Sequence, residues 1–386
     1  MEDVQAATDA WLARLPVSER LAAQAATDTR LIGWIAGAVV VVAAAALLTR
    51  MGVTTRLAKR LETTGPRPWL TAAMAAGVTA VALLSAKAFV DASVAWRVRT
   101  ILGGAGAAGW PAHFVAAAAS VLPSVLLAVL LFPPLAWLMR RTPRRWPLIV
   151  GPATAALILA LGWLPYALSA GGAGPPAPPG AVQAGVAQLV AETQLPAVAV
   201  RQSADLALDA DVTGGFGRAR VVVGPRLMAG PPAEARAYVG HLIGHYVHGD
   251  VLIVCLVAGA VAWIGCWAAL NGAAPLARAM GAREARGPAD PAATPALALI
   301  FAATVTVATL AGAAYLRWAN VRADAFSLAH AREPDGLAAV IEDEWRRDPA
   351  HDSVAPSPLE AALFYSHPPL QTRIAHAMAW KAAHPR

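Results

Sequence analysis

Six long apolar stretches recur along the chain, separated by polar connections. Each approaches or exceeds the roughly 20 helical residues that cross the hydrocarbon core of a membrane. The six stretches are Leu31–Leu48, Leu70–Val90, Phe114–Met139, Leu148–Leu168, Val251–Leu270 and Leu297–Leu316. Pro123 and the pair Pro133–Pro134 lie inside the third stretch and favour a kink or an early helix end there. The pattern predicts a mainly α-helical integral membrane protein with about six transmembrane helices.

Other segments have the mixed pattern of a small water-facing domain. Apolar positions recur with helical spacing in Ala181–Leu195 and in residues 232–248. Ala197–Val200 and Ala219–Val223 are short runs rich in apolar and β-branched residues, which are typical of strands. These segments predict a small α+β domain at the membrane boundary.

A segment rich in glycine and proline divides the chain. Residues 169–180, with the sequence SAGGAGPPAPPG, are typical of a linker. Before it, the sequence predicts a lead-in at 1–30, either amphipathic or loosely ordered, and a four-helix transmembrane half at 31–168. The second half, 181–386, contains the transmembrane helices 251–270 and 297–316.

Composition excludes several classes of protein. Apolar residues make up 57% of the chain and charged residues 14%, with a mean hydropathy of +0.51, whereas soluble domains carry about 25% charged residues. A fully soluble protein and a disordered chain are therefore excluded. Two cysteines are too few for a disulfide scaffold or a cysteine-rich metal module. The net charge of +7 is concentrated beside the apolar spans, which indicates the lipid bilayer, and not nucleic acid, as a partner.

The basic residues also indicate an orientation in the membrane. The connections at 49–69, 140–146 and 271–294 carry clusters of lysine and arginine, whereas 91–112 carries two arginines. Cytoplasmic connections of membrane proteins have an excess of these residues. We therefore expect the three connections on the cytoplasmic side of a bacterial inner (cell) membrane and the water-facing segments on the periplasmic side.

The segment EARAYVGHLIGHYVHGD carries the clearest chemical signal. His241 and His245 are four residues apart, so on a helix they project from one face, which is the spacing by which two imidazoles bind one zinc ion. Zinc peptidases have a glutamate directly after the first histidine, as the base for the metal-bound water. Here that position is Leu242, which cannot accept a proton. The alternative is that the two histidines only pack a helix.

The chain resembles the membrane zinc metallopeptidases of the CAAX prenyl protease and heat-shock protease X type. Four blocks in the same order carry the resemblance, which spans about residues 181–386. They are DADVTGGFGRARVVVGPRLM at 209–228, HLIGH at 241–245 in place of H-E-x-x-H, NVRAD at 320–324 in place of E-x-x-A-D, and SHPPLQTRI at 366–374. The resemblance implies a metallopeptidase-like α+β domain at the membrane boundary.

The resemblance also implies roles for the residues around a metal. His241 and His245 match two zinc ligands, whereas the third ligand, a glutamate in the family, falls on Asn320. Asp324 matches the aspartate that supports the metal site from behind its ligands. Zinc is the cofactor that the resemblance implies. The changed ligand leaves open whether this chain retains zinc, and Asp324 or His248 is a candidate substitute ligand.

Three further positions of the family fall on residues of this chain. His367 and Arg373 match the pair that steadies the peptide oxyanion. The strand asparagine that contacts substrate in the family falls on Asp209. The oxyanion residues are therefore kept, whereas the base, the third ligand and the substrate asparagine are not.

These departures predict a non-catalytic pseudo-peptidase. We expect it to bind membrane-associated or hydrophobic peptides, or to modulate an active peptidase relative. The alternative is an active or weakly active zinc metalloendopeptidase in which Asp209, Glu234 or Asp324 replaces the missing base. The site of the family faces the cytoplasm, whereas the charges of this chain indicate the periplasm, and the sequence leaves both sides open.

Overall fold

The structure of the protein is a computed structural model that describes residues 2–63, 65–104, 109–169, 174–193, 195, 199–205, 207–347 and 353–385. Its helices are α1 (Glu2–Leu12), α2 (Val17–Arg50), α3 (Val53–Glu62), α4 (Pro68–Ile101), α5 (Trp110–Arg141), α6 (Pro147–Ile158), α7 (Leu164–Leu168), α8 (Ala181–Glu192), α9 (Pro225–Ala229), α10 (Pro232–His248), α11 (Asp250–Ala279), α12 (Thr294–His330), α13 (Pro334–Arg347), α14 (Pro358–Phe364) and α15 (Leu370–Ala383). Its strands are β1 (Val200–Gln202), β2 (Ala210–Thr213) and β3 (Arg220–Val223).

Within the described residues, six helical segments are long and apolar enough to cross a membrane. They are α2, α4, α5, α6 together with α7, α11, and α12 with the short turn before it. A π-helical turn, Leu159–Trp163, connects α6 to α7. The predicted class, a mainly helical membrane protein with six spans and a small sheet, is confirmed.

Of the two alternatives expected for the third span, a kink or an early helix end, the early end is wrong. Helix α5 does not end at its internal prolines but continues through Pro123, Pro133 and Pro134 to Arg141. A lipid environment offers no water to the backbone groups that a broken helix would release, so ending a helix inside the core is costly.

The chain forms two compact units, and each boundary between them falls within a helix. Unit 1 comprises Met1–Thr27, Leu157–Ala258 and Leu310–Arg386, and unit 2 comprises Asp28–Ala156 and Gly259–Thr309. The four-part organisation expected from the sequence stays a prediction.

Unit 2 consists of membrane helices that pack through small residues. Gly151 lies directly against the ring of Trp263, and Gly265 lies against the side chain of Thr304, so neither position has room for a methyl group. On α4, Lys87 and Asp91 form an exposed ion pair one helical turn apart. This contact is the local pairing that residues four positions apart on a helix make.

Unit 1 contains the sheet, whose strand order is β1-β3-β2. β3 pairs in parallel with β1 and antiparallel with β2. The strand predicted at 219–223 corresponds to β3. Two of the four residues predicted as a strand at 197–200, residues 197 and 198, lie outside the described residues, and β1 begins at Val200. Apolar side chains of the sheet form one core with α8 and α10; its fully buried members include Val186, Leu189, Val221, Val223, Val239 and Ile243.

The start of the chain packs on the C-terminal helices of unit 1. Trp11, at the end of α1, and Leu15 are buried in a second core with Trp345 of α13 and Ile374 of α15. The first part of the predicted lead-in is therefore the ordered helix α1 with a covered apolar side, whereas residues 17–30 belong to α2.

Two glycines on α10 allow α12 to approach closely. A Cβ atom on Gly244 would lie 2.9 Å from the Cα of Ala323, and one on Gly240 would lie 3.0 Å from the Oγ of Ser327. Ser327 uses this proximity to donate a hydrogen bond to the carbonyl of Ala237, at 2.7 Å. This close contact brings the residues between the two glycines next to those around Ala323.

We expect Gly244→Ala to lower the free energy of unfolding by about 1–3 kcal/mol, because the new methyl group meets the backbone of α12 and overpacks the contact. Chemical unfolding of the detergent-solubilised protein measures the change. The matched control is Gly287→Ala, where a Cβ atom would meet nothing within 4 Å. That variant should stay within about 0.5 kcal/mol of the parent protein. Equal losses in the two variants would contradict the close contact.

Candidate functional site

His241 and His245 lie side by side on α10, one helical turn apart. Their rings are nearly perpendicular, with centroids 4.7 Å apart. The two Nε2 atoms face each other at 3.1 Å. His241 is buried, whereas His245 is partly accessible. The spacing read from the sequence therefore produces a pair of imidazoles directed at one point.

A carboxylate holds the other nitrogen of each ring. The Nδ1 of His241 lies 2.7 Å from Asp324 Oδ1, and the Nδ1 of His245 lies 2.7 Å from Asp250 Oδ2. An ionised carboxylate only accepts hydrogen bonds, so each Nδ1 must carry the proton of its ring. Each Nε2 therefore keeps its lone pair. The tautomer is assigned from these hydrogen-bond partners. Burial and the neighbouring His241 lower the pKa of His245, which also favours its neutral ring.

Asn320 adds a third acceptor to the same point. Its Nδ2 donates to the carbonyls of Leu316 at 2.8 Å and Ser366 at 3.2 Å. The amide oxygen is thereby turned toward the histidines and lies 3.3 Å from the Nε2 of His245. Three electron-pair acceptors converge with no hydrogen-bond donor among them, an arrangement that a cation or an added proton stabilises.

These acceptors match a metal ion in geometry better than in charge. Tetrahedral zinc with bonds of about 2.0–2.1 Å places its nitrogen ligands a little over 3 Å apart, close to the 3.1 Å between the two Nε2 atoms. All three acceptors are neutral, however. Among the described residues, no group of three or more His, Cys, Asp or Glu side chains is arranged to hold a metal ion. The residues fit a weakly bound cation, and zinc stays a prediction.

Asp324 is the centre of a buried ionic chain. It accepts hydrogen bonds from Nε and Nη2 of Arg373, both at 2.9 Å, in addition to the one from His241. Burial alone would lower the pKa of Arg373, but the negative charge of Asp324 outweighs burial and raises it. Arg373, which the resemblance assigns to the oxyanion, is directed at Asp324 in this structure.

His367 lies at the exposed side of the site. Its Nδ1 is 3.1 Å from the hydroxyl of Ser366, whose carbonyl accepts from Asn320. Surrounding protein and the charge of Arg373 lower the pKa of His367. The side chain is exposed, so solvent offsets part of this effect. Asn320 bonds the Ser366 carbonyl through its Nδ2 and faces His245 with its Oδ1, so the S-H-P-P turn begins next to the histidine pair.

Asp250 is a member of the site that the sequence interpretation missed. It is buried at the start of α11 and accepts hydrogen bonds from Tyr315 and Arg322 as well as from His245. Arg322 in turn lies over the ring of Trp318, 4.0 Å from its centroid. The available signal was an aspartate five positions after the second histidine, at the beginning of an apolar span.

At the position where the resemblance expects a general base, the side chain of Leu242 faces the interior of the protein. Leu242 packs against the core formed by the sheet, α8 and α10. His248, one of the candidate substitute ligands, has its Nδ1 2.6 Å from the carbonyl of Gly244, one turn before it.

The candidate replacement bases are occupied or remote. Asp209 is paired with Arg226 and Arg347, which outweigh burial and lower its pKa. Burial and the charge of Asp343 raise the pKa of Glu234, which would suit a base. Glu234, however, precedes His241 by seven residues, or about 10 Å along a helix with a rise of 1.5 Å per residue.

Comparison with known proteins identifies one family. The family model described as peptidase family M48 matches residues 176–381, which is more than half of the 386 residues. The matched region contains both histidines, Asp250, Asn320, Asp324 and Arg373. No curated protein gives a significant match to the chain.

We expect Asp324→Ala to lower the free energy of unfolding by about 3–5 kcal/mol, because it leaves the buried charge of Arg373 without its main partner. Denaturant titration of the solubilised protein measures the loss. The control is Asp335→Ala, which removes an ion pair with Lys381 in which both side chains are more than half exposed. An exposed pair contributes at most about 1 kcal/mol. A loss at Asp324 no larger than that of the control would argue against a buried ionic chain.

Proposed function

The chain belongs to peptidase family M48, and from that premise we propose that it is a non-catalytic membrane pseudo-peptidase of the CAAX prenyl protease and heat-shock protease X type. It binds membrane-associated or hydrophobic peptides without hydrolysing them. We also propose that it lies in the bacterial inner (cell) membrane with the site on the periplasmic side, as the basic connections indicate.

The observation that carries the proposal is Leu242 at the position of the general base. Its side chain has no atom that accepts a proton, and it packs against the sheet core. Losing a general base typically lowers a rate by about 10²–10⁴-fold. A peptidase that lost its base would need another carboxylate at the same point to retain useful activity.

The nearby carboxylates do not favour such a replacement. Asp324 and Asp250 each hold an imidazole and at least one arginine, so their oxygens are engaged. Asp209 is held by two arginines, and Glu234 lies on the first turn of α10. These contacts support the pseudo-peptidase over an enzyme with a substitute base.

If zinc binds, His241, His245 and Asn320 would hold it. A zinc ion lowers the pKa of a bound water and polarises a carbonyl group. Asp324 and Asp250 fix the two imidazoles in the tautomer that binding requires. The neutral Asn320 leaves the ligand set one negative charge short of the family pattern, which weakens the affinity.

The proposed ligand is a peptide in extended conformation. β2 forms one edge of the sheet, and an edge strand can pair with an added strand through main-chain hydrogen bonds. An active peptidase relative is the second partner that this arrangement suits, since a protein that holds a peptide without cleaving it can present it to an enzyme.

An active or weakly active zinc endopeptidase is the second candidate function. The His241 Nε2 and the Asn320 Oδ1 lie within 3.3 Å of the His245 Nε2, and this arrangement of three acceptors favours it, because catalytic metal sites have three protein ligands. The two candidates make opposite predictions for proteolysis.

We expect the unmodified protein, with zinc added, to cleave neither a peptide nor a prenylated substrate, because Leu242, at the position of the family's base, cannot accept the proton of the attacking water. Mass spectrometry of the products measures cleavage. Chelator-sensitive proteolysis that His245→Ala abolishes would contradict the pseudo-peptidase.

The double variant Leu242→Glu with Asn320→Glu restores a base and a charged ligand, and we expect slow zinc-dependent hydrolysis from it.

We expect Asn320→Glu to raise the zinc affinity by at least about tenfold, because one added charge near the ion contributes several kcal/mol even at an effective dielectric constant of about 20. Competition with a chromophoric chelator in detergent measures the affinity. The control, Gln188→Glu on the exposed side of α8, adds the same charge away from the site and should leave the affinity unchanged. Equal affinities for the parent protein and Asn320→Glu would mean that residue 320 does not contact the metal.

A further inference from the structure

The turn between β2 and β3 presents one aromatic side chain to its surroundings. Phe216 is 72% exposed, and its φ of +54° lies in the left-handed region, which is uncommon for a bulky residue. Gly214 and Gly217 flank it with φ values of +130° and +76°. Strained positions of this kind persist where the surrounding structure holds them, and they cluster at functional segments.

The turn is attached to the end of a membrane span. The Phe216 ring meets the Trp163 ring edge to face, with centroids 5.4 Å apart. The hydroxyl of Tyr166 donates to the carbonyl of Val212 in β2 at 3.0 Å. Gly215 lies so close to Ala167 that a Cβ atom would be 2.8 Å from it. The hairpin is therefore held against the C-terminal part of the Pro147–Leu168 span.

A second contact holds the other side of the turn. The hydroxyl of Tyr246 on α10 donates to the carbonyl of Arg218 at 2.8 Å. The side chain of Arg218 is exposed. Contacts on both sides of the turn therefore hold it in place, with the side chain of Phe216 exposed.

The position along the span sets the depth of this turn. Pro147–Leu168 has 22 residues, which at 1.5 Å per residue is about as long as the roughly 30 Å hydrocarbon core. Trp163 and Tyr166 lie in its last two turns, the level at which these residue types are enriched in membrane proteins. Phe216 contacts Trp163 and therefore lies at the same level.

The neighbouring surface is apolar. Leu161 and Leu168 of the same span are 71% and 63% exposed. Phe216 packs against Trp163 in this part of the span, and Arg218 follows it in the chain. An aromatic group beside a lipid-facing helix, with a guanidinium next to it, matches the acyl boundary and the phosphates of a bilayer.

We propose that the β2–β3 turn is an interfacial membrane anchor, in which Phe216 enters the boundary between acyl chains and headgroups and Arg218 lies at the level of the lipid phosphates. The anchor holds the edge strand β2 at the bilayer surface, where a membrane-associated peptide reaches it without crossing into bulk water. The access of a peptide to β2 rests on the proposed function, whereas the anchor itself is independent of peptide binding, metal binding and catalysis and is tested separately.

The test places a nitroxide label at Phe216→Cys in a Cys255→Ala, Cys266→Ala background, because these are the two native cysteines. The protein is reconstituted in vesicles of equal parts phosphatidylcholine and phosphatidylglycerol. Power saturation measures the accessibility of the label to oxygen, which concentrates in the bilayer, and to a water-soluble nickel chelate. The matched control label is at Glu192→Cys, an exposed position on α8.

We expect oxygen to exceed the nickel chelate at position 216 and the reverse at position 192. A label at Arg218→Cys should give an intermediate ratio and serves as a second probe if the label at 216 disturbs the turn. Nickel accessibility at 216 equal to that at 192 would place the turn in water and overturn the anchor. Low accessibility to both reagents would mean that protein covers Phe216, which also overturns it.

Discussion

The histidine pair depends on one buried carboxylate. Asp324 on α12 accepts from Arg373 on α15 and from His241 on α10, so a single side chain ties three helices together. A buried charge is tolerated when its partners satisfy its hydrogen bonds. The close approach of α10 and α12 at Gly240 and Gly244 brings His241 within reach of Asp324. The backbone packing and the ionic chain therefore support each other.

The second carboxylate, Asp250 at the start of the spanning helix α11, holds the ring of His245 in the same way. Because both imidazoles donate through Nδ1, both present a lone pair to the same point, where the oxygen of Asn320 also lies. This alignment carries an electrostatic cost, which a cation at that point would offset. The three converging acceptors and the leucine at position 242 are separate features of this chain, so the proposed lack of catalysis does not depend on whether a cation binds.

The hairpin and the metal-type site share elements of unit 1. α10 carries the histidines and also holds the β2–β3 turn through Tyr246. The sheet packs against α10 at Val239 and Ile243. One helix therefore connects the edge strand, the turn and the site, so β2 has a fixed position relative to the two histidines.

Much of the fold and part of the site were predictable from local sequence. The six spans were recognised because hydrophobic length is a property of each segment alone, and the pairing of His241 with His245 follows from helical periodicity. The absence of a base at position 242 stays a prediction, which rests on the identity of Leu242 alone. An early end of α5, one of the two alternatives expected from its prolines, was wrong because the hydrocarbon core disfavours ending a helix inside it.

Only the tertiary structure decided which partners these residues have. Asp324 meets His241 across 83 positions and Arg373 across 49. Asp209, a candidate base in the sequence, is held by Arg347, and Asp250 gained a role through Tyr315 and Arg322. Periodicity describes which face of its own helix a side chain occupies. Whether a carboxylate is free to act depends on which distant side chains contact it, and those contacts are determined by how the helices pack.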